Sequence, residues 1–203
     1  MIGLDFDNTI VCYDALFREM AVEAGLMPAG FTASREALRS AVRREHGDGA
    51  WAALQATLYG PALHRATFFP GALECIRRLL RGGRAIAIVS HKTRVAAADP
   101  NVDLHAHAWR WLEPSGLLDP PPRGLTREGV FFEETLDAKI TRIHQLGCSH
   151  FVDDLSTVFE HPAFPAATIP LLFDPEREGK AFAGRVVHSW REIEEYFVDS
   201  AIA

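Results

Sequence analysis

Apolar residues recur along this chain in two rhythms. Short runs rich in β-branched and aromatic side chains, Ile2 to Asp5, Ala85 to Val89, Val130 to Phe132, His150 to Val152 and Thr168 to Phe173, are bounded by Gly, Pro or charged residues and predict strands. Between them the spacing turns helical. Leu73, Ile76, Leu79 and Leu80 follow Pro70-Gly71 and run into Gly82-Gly83, a left-handed stop. Leu136, Ile140 and Ile143 repeat the arrangement, with Thr135 placed to cap the helix and Gly147 to end it. Further helical cover is expected around Trp109 and Trp111 and from Trp190 to Phe197. Strands alternating with helices predict an α/β fold in which a parallel sheet carries helices on both faces.

Residues 13–67 break the alternation. They contain no strand run, but Tyr13, Leu16, Phe17, Met20 and Ala24 make one apolar stripe, Ala37, Leu38, Ala41 and Val42 another, and Ala50 to Leu58 a third. This segment reads as a small helical subdomain, leaving after the first strand and returning near Phe68. The expected division is therefore a core of residues 1–12 and 68–203 with an insertion of 13–67. Asn8 to Cys12 and Ala66 to Pro70 would be its hinges.

A length of 203 residues suits one domain with a modest insertion, and a 48% hydrophobic content is ample for a closed core. The net charge of −6 argues against holding nucleic acid through an overall field and favours a small-molecule partner. Cys12, Cys75 and Cys148 lie far apart with no CxxC pair, which argues against a disulfide framework or a zinc ribbon. No apolar run nears the ~18 residues needed to span a bilayer, so a cytoplasmic location with no membrane partner is expected. Pro120-Pro121-Pro122 reads as a loop, and oligomeric state stays open, a homo-oligomer included.

Ligands of an open parallel sheet bind beyond the carboxyl ends of its strands, so polar residues just after apolar runs matter most. The first run leads into Asp5-Phe6-Asp7-Asn8-Thr9, the second into Ser90, and the fourth into Asp153-Asp154. Carboxylates converging there would repel by about 4 kcal/mol per pair at ~4 Å and an effective dielectric near 20, so a cation should sit among them. All-oxygen donors point to a hard ion, Mg²⁺ above all. Asp5 and Asp7, two apart, can face one substrate while Phe6 turns inward. Asp5, held ionised by a metal, can attack phosphorus, and Asp7 can carry a proton for the leaving group.

In this order the motifs resemble those of the haloacid dehalogenase-like hydrolase superfamily. Asp5-Phe6-Asp7-Asn8-Thr9 is similar to its first signature, Ile88-Val89-Ser90 to its second, Lys139 to its third and Val152-Asp153-Asp154 to its fourth, over residues 1–160. The resemblance implies a Rossmann-like core with an inserted helical cap and a Mg²⁺-dependent phosphatase working through an aspartyl-phosphate. Asp5 would be the nucleophile and Asp7 the acid and base. Mg²⁺ would lie on Asp5, the Asp7 main-chain carbonyl and Asp153, with Asp154 behind or beside them. Ser90 and Lys139 would hold the phosphoryl group, Thr9 would orient the first motif, and His91 joins them on the substrate side.

The acid at Asp7 favours phosphoryl chemistry over dehalogenation, because cleavage of a carbon–halogen bond leaves no alkoxide to protonate. Two departures leave the substrate class open among small phosphorylated metabolites: Lys139 is not followed by Pro, and His91-Lys92 follow Ser90 where Asn is frequent. The alternatives are a phosphomutase using the same intermediate and a non-catalytic binding module. The inserted helices would set specificity, with Arg35, Arg39 and Arg43 along one helix face and Arg44, Trp51, Tyr59, His64 and Arg65 as further candidates. That arginine face also reads as a solvated surface paired with Glu36 and Glu45. His105 and His107 read as surface residues.

Overall fold

The computed structural model describes residues 1–120, 124–177, 179 and 182–199, the side chain of residue 199 excepted. Pro121 and Pro122 of the expected proline loop lie outside these. The chain divides into two compact units, one of Met1–Val11, Phe68–Lys92 and residues from Glu113 onward, the other of Cys12–Thr67 and Thr93–Leu112.

The first unit is built on a six-stranded sheet. In chain order, β1 (Ile2–Leu4) is followed by β2 (Val11–Cys12), α1 (Asp14–Glu23), α2 (Arg35–Tyr59), β3 (Thr67–Phe68), α3 (Ala72–Arg81) and β4 (Ile86–His91). Then come β5 (Val95–Ala96), β6 (Asp99–Asp103), α4 (Leu104–Leu112), β7 (Val130–Glu133), α5 (Leu136–Gln145), β8 (His150–Asp153), α6 (Ser156–Phe159), β9 (Ile169–Phe173), β10 (Arg185–Val187) and α7 (Trp190–Asp199). The sheet order is β10-β9-β8-β1-β4-β7, all parallel. The chain builds outward from β1 to one edge through β4 and β7, then returns to build the other through β8, β9 and β10. The reversal falls at β1, where open α/β sheets hold their ligands.

Helices cover both faces of this sheet, as the alternation predicts. On one face Ala87, Val89 and Phe151 pack with Ile140 and Ile143 of α5 and Val158 of α6, all buried. On the other, His150 meets the rings of Tyr196 and Phe197 of α7 edge-on. Gly3 is required by close packing, since a Cβ there would run into the Phe151 ring. The expected strands are all present. β10 was not foreseen, being only Arg185-Val186-Val187 at the sheet edge.

The second unit differs from the expected insertion of 13–67 in taking in 93–112, which includes the helix around Trp109 and Trp111 that was expected to cover the sheet. The reason is visible in its packing. The Trp111 indole donates to the Ala66 carbonyl at 2.9 Å, and Ala96 and Leu104 form a buried cluster with Ala56. Trp51, a candidate substrate contact by sequence, instead stacks on the buried Phe17 at 5.1 Å, and Tyr59 packs edge-on against Tyr13 and Phe17. α2 is broken at Gly47, whose φ of 84° lies in the left-handed region that glycine adopts without cost. No helix among the described residues is long and apolar enough to cross a membrane.

Candidate active site

Register brings distant motifs to one level. Leu4 lies opposite Val152 and Ile88 across the central strands, so the next residues, Asp5 and Asp153, come side by side at the carboxyl end of the sheet. The Asp5 N–H donates to the Val152 carbonyl at 2.9 Å. Just past β1 the chain folds tightly. The N–H groups of Ile10 and Val11 both donate to the Phe6 carbonyl, and Asn8 takes a φ of 60°, which asparagine tolerates in such turns. Phe6 is buried, as expected between two acids facing the same crevice. The Trp190 indole of α7 donates to the Thr9 carbonyl at 2.9 Å and ties this loop down.

α5 delivers the cation. Thr135 caps the helix by accepting a hydrogen bond from the Ala138 N–H, and one residue further on Lys139 points inward, 2% exposed. Its ammonium donates to Asp5 Oδ1 and to Asp153 Oδ2, each at 2.6 Å. Asp153 also accepts from the Leu155 N–H at 3.0 Å. Carboxylate oxygens of Asp5, Asp153 and Asp154 lie within 4.8 Å of one another, and all three residues are buried.

Two of these three close carboxylates, Asp5 and Asp153, share one ammonium. Burial pushes Asp5 up to about 7, helped by Asp153 and Asp7 and opposed by Lys139. Asp153 is raised in the same way, by burial first and by Asp154. Burial works against the Lys139 ammonium, but Asp153 and Asp5 together outweigh it and hold its pKa above the ordinary lysine value. The group carries more negative charge than Lys139 balances, and its donors are all hard oxygens. Such a set fits a small divalent cation.

Ser90, at the end of β4, is 1% exposed, and its hydroxyl has no hydrogen-bond partner among the described residues; the Thr9 hydroxyl and the Asn8 side-chain oxygen are likewise buried without one among them. An unmatched buried hydroxyl costs about 1–3 kcal/mol. His91 beside it is exposed. Burial and then repulsion from Lys139 lower its imidazole pKa, against a hydrogen bond at the Glu134 backbone.

One site residue was not assigned a role from sequence. Lys92, directly after β4 and 4% exposed, donates to both oxygens of Asp7, at 3.0 and 2.7 Å. The available signal was its spacing, two residues from Ser90 on the same strand end. The arginines of α2 are engaged elsewhere: Arg39 with Glu36, Arg43 with Asp48 and Arg44 with Glu45, all exposed. Arg65 pairs with Glu19 and Glu23, and His64 bonds the Pro61 carbonyl.

No protein-family model matches the chain, and no curated protein matches it. Solved structures do. A HAD family hydrolase (HAD, haloacid dehalogenase) from Deinococcus radiodurans R1, with bound phosphate and sodium, is 15% identical, covering 98% of this chain and 95% of that one, with a TM-score of 0.61. The HAD-hydrolase YfnB from Bacillus subtilis, bound to magnesium, is 16% identical over 96% of each chain, with a TM-score of 0.58. A structure named as a dehalogenase is 16% identical, covering 96% and 95%, with a TM-score of 0.52. The chain has the fold of the haloacid dehalogenase-like hydrolases.

Proposed function

We propose that this protein is a haloacid dehalogenase-like phosphatase that hydrolyses a small phosphomonoester with Mg²⁺ through an aspartyl-phosphate on Asp5. The observation that carries the reading is the convergence of Asp5, Lys139, Asp153 and Asp154 with an unmatched Ser90 hydroxyl at the strand ends. Asp5, Asp153, Asp154 and the Asp7 main-chain carbonyl would hold Mg²⁺, which when bound neutralises charge on the phosphoryl oxygens.

In the first step an Asp5 carboxylate oxygen attacks phosphorus in line with the leaving oxygen, and the bond from phosphorus to that oxygen breaks as Asp7 gives it a proton. In the second, the Asp7 carboxylate takes a proton from water attacking the phosphoryl group, and the acyl-phosphate bond breaks to restore Asp5. Lys139 holds Asp5 in place, and Ser90 donates to a phosphoryl oxygen. The second unit, residues 12–67 and 93–112, serves as the cap that shields the reaction from water and selects the substrate. A small phosphorylated metabolite in the cytoplasm, with neither nucleic acid nor membrane involved, suits this reading.

Dehalogenation is the second reading, favoured by the neighbour named as a dehalogenase. The presence of Asp7 speaks against it, since a departing halide needs no proton. The test is hydrolysis of p-nitrophenyl phosphate with Mg²⁺, with chelator, and by Asp5→Asn. Activity is expected only in the first case, with Asp5→Asn down by at least about 10³-fold. Turnover that survives both chelator and Asp5→Asn rejects the proposal. Halide release from a haloacid without phosphate release would put the dehalogenase in its place, and dependence on a sugar bisphosphate would point to a phosphomutase.

A further inference from the structure

We infer that Lys92 is a positioning residue for Asp7, fixing the plane of its carboxylate and keeping it apart from the Asp5–Asp153–Asp154 group so that it meets the leaving oxygen. The inference rests on the phosphatase reading. Its basis is the division of cations at the strand ends. Lys139 donates to Asp5 and Asp153, while Lys92 donates to both oxygens of Asp7.

The exposure of the two partners gives the pair a direction. The Lys92 side chain is 3% exposed and that of Asp7 19%, so the ammonium supports the carboxylate from the interior while the carboxylate keeps an open edge. Lys92 is itself held. Its N–H donates to the Glu133 carbonyl at 2.8 Å, one step beyond the β4–β7 ladder, and its ammonium lies 5.7 Å from the centre of the Phe6 ring. Phe6 is the residue between the two acids, so one buried ring sets the spacing of Asp5, Asp7 and Lys92. Withdrawing a lysine from water is costly unless a partner compensates. The bond from Lys92 to a single carboxyl group, forked when Asp7 is ionised and to one oxygen when the other carries the proton, restrains the rotation of that group in both states. Freed from Lys92, the Asp7 carboxylate would share the attraction of whatever cation the neighbouring acids hold. It would then be lost to proton transfer.

The test compares kcat/KM for phosphomonoesters of increasing leaving-group basicity, from p-nitrophenyl phosphate through phenyl phosphate to an alkyl phosphate, in the full chain with Mg²⁺. This ratio reports events up to departure of the leaving group, where the proton from Asp7 matters most for the most basic oxygen. Lys92→Met should lose about 30-fold or more on the alkyl ester and less than about threefold on p-nitrophenyl phosphate, and Lys92→Arg should restore most of the difference. In an Asp7→Asn background Lys92→Met should add no further loss. Equal losses across all leaving groups, or full additivity with Asp7→Asn, overturn the inference. If Lys92→Met fails to fold, Lys92→Gln, which keeps one donor, makes the same comparison under the same criteria. Failure of the wild type to hydrolyse p-nitrophenyl phosphate is a separate result, and it removes the phosphatase reading and this inference together.

Discussion

The arginines of α2 and the lysines at the strand ends carry the same unit charge in opposite settings. Along α2 the charges recur at helical spacing and catch the eye in the sequence, yet Arg39, Arg43 and Arg44 are exposed and paired with local acids. Such pairs contribute about 0–1 kcal/mol. At the strand ends, Lys139 and Lys92 are single residues with no periodicity, and both are buried against acids far away in sequence. Breaking a buried pair leaves a charge stranded and costs about 3–5 kcal/mol. Conspicuous patterning therefore marks exposed local pairs, and the isolated lysines are the ones buried against distant acids.

The sharpest way to break this contrast is Lys139→Met. It should destabilise the metal-free protein by about 3–5 kcal/mol in urea unfolding at pH 8, and by less at pH 5, where the carboxylates can take up protons instead. The wild type sets the baseline. Asp5 is raised from 3.8 to about 7 on folding, so the native chain binds that proton more tightly than the unfolded one. The resulting stabilisation is complete below pH ~4 and lost as pH rises through about 7. Metal-free protein should melt about 5–10 °C lower at pH 8 than at pH 5 on this account, and Mg²⁺ should recover most of the loss at pH 8. A flat profile, unmoved by Mg²⁺, would deny that the acids are short of positive charge.

A smaller effect with two signs is expected at Ser90. Ser90→Ala removes an unmatched buried hydroxyl, so melting should be unchanged or rise by up to about 1 kcal/mol while phosphatase kcat falls about 10²-fold. Loss of stability instead would mean that the hydroxyl serves the fold. The smallest effect belongs to the surface: Arg39→Ala with Arg43→Ala should shift unfolding by less than about 1 kcal/mol, checked in urea.

Legibility followed the same division. β1, β4, β7, β8 and β9 announce themselves because buried parallel strands are apolar on both faces, and with them came the order of Asp5, Ser90, Lys139 and Asp153. β6 runs Asp99-Pro100-Asn101-Val102-Asp103, too polar to read as a strand, and β10 is three residues long. The helix holding Trp109 and Trp111 was legible as a helix, but its partner was not. An apolar stripe says that something covers it, and only the fold shows that Ala56 and Ala66 are among those neighbours. Lys92 was hidden for a related reason, since a charged residue ending a strand looks solvated until an acid 85 positions earlier meets it.

The placement of β1 in the middle of the sheet has a consequence for how the molecule comes into being. β1 is flanked by β4 and β8, and the loop beyond it is moored by Trp190. Both neighbours and the mooring are translated long after Asp5. Such distant closures slow the search for the native state, so Asp5 and Asp7 wait, unassembled, until β8 and Trp190 have been made.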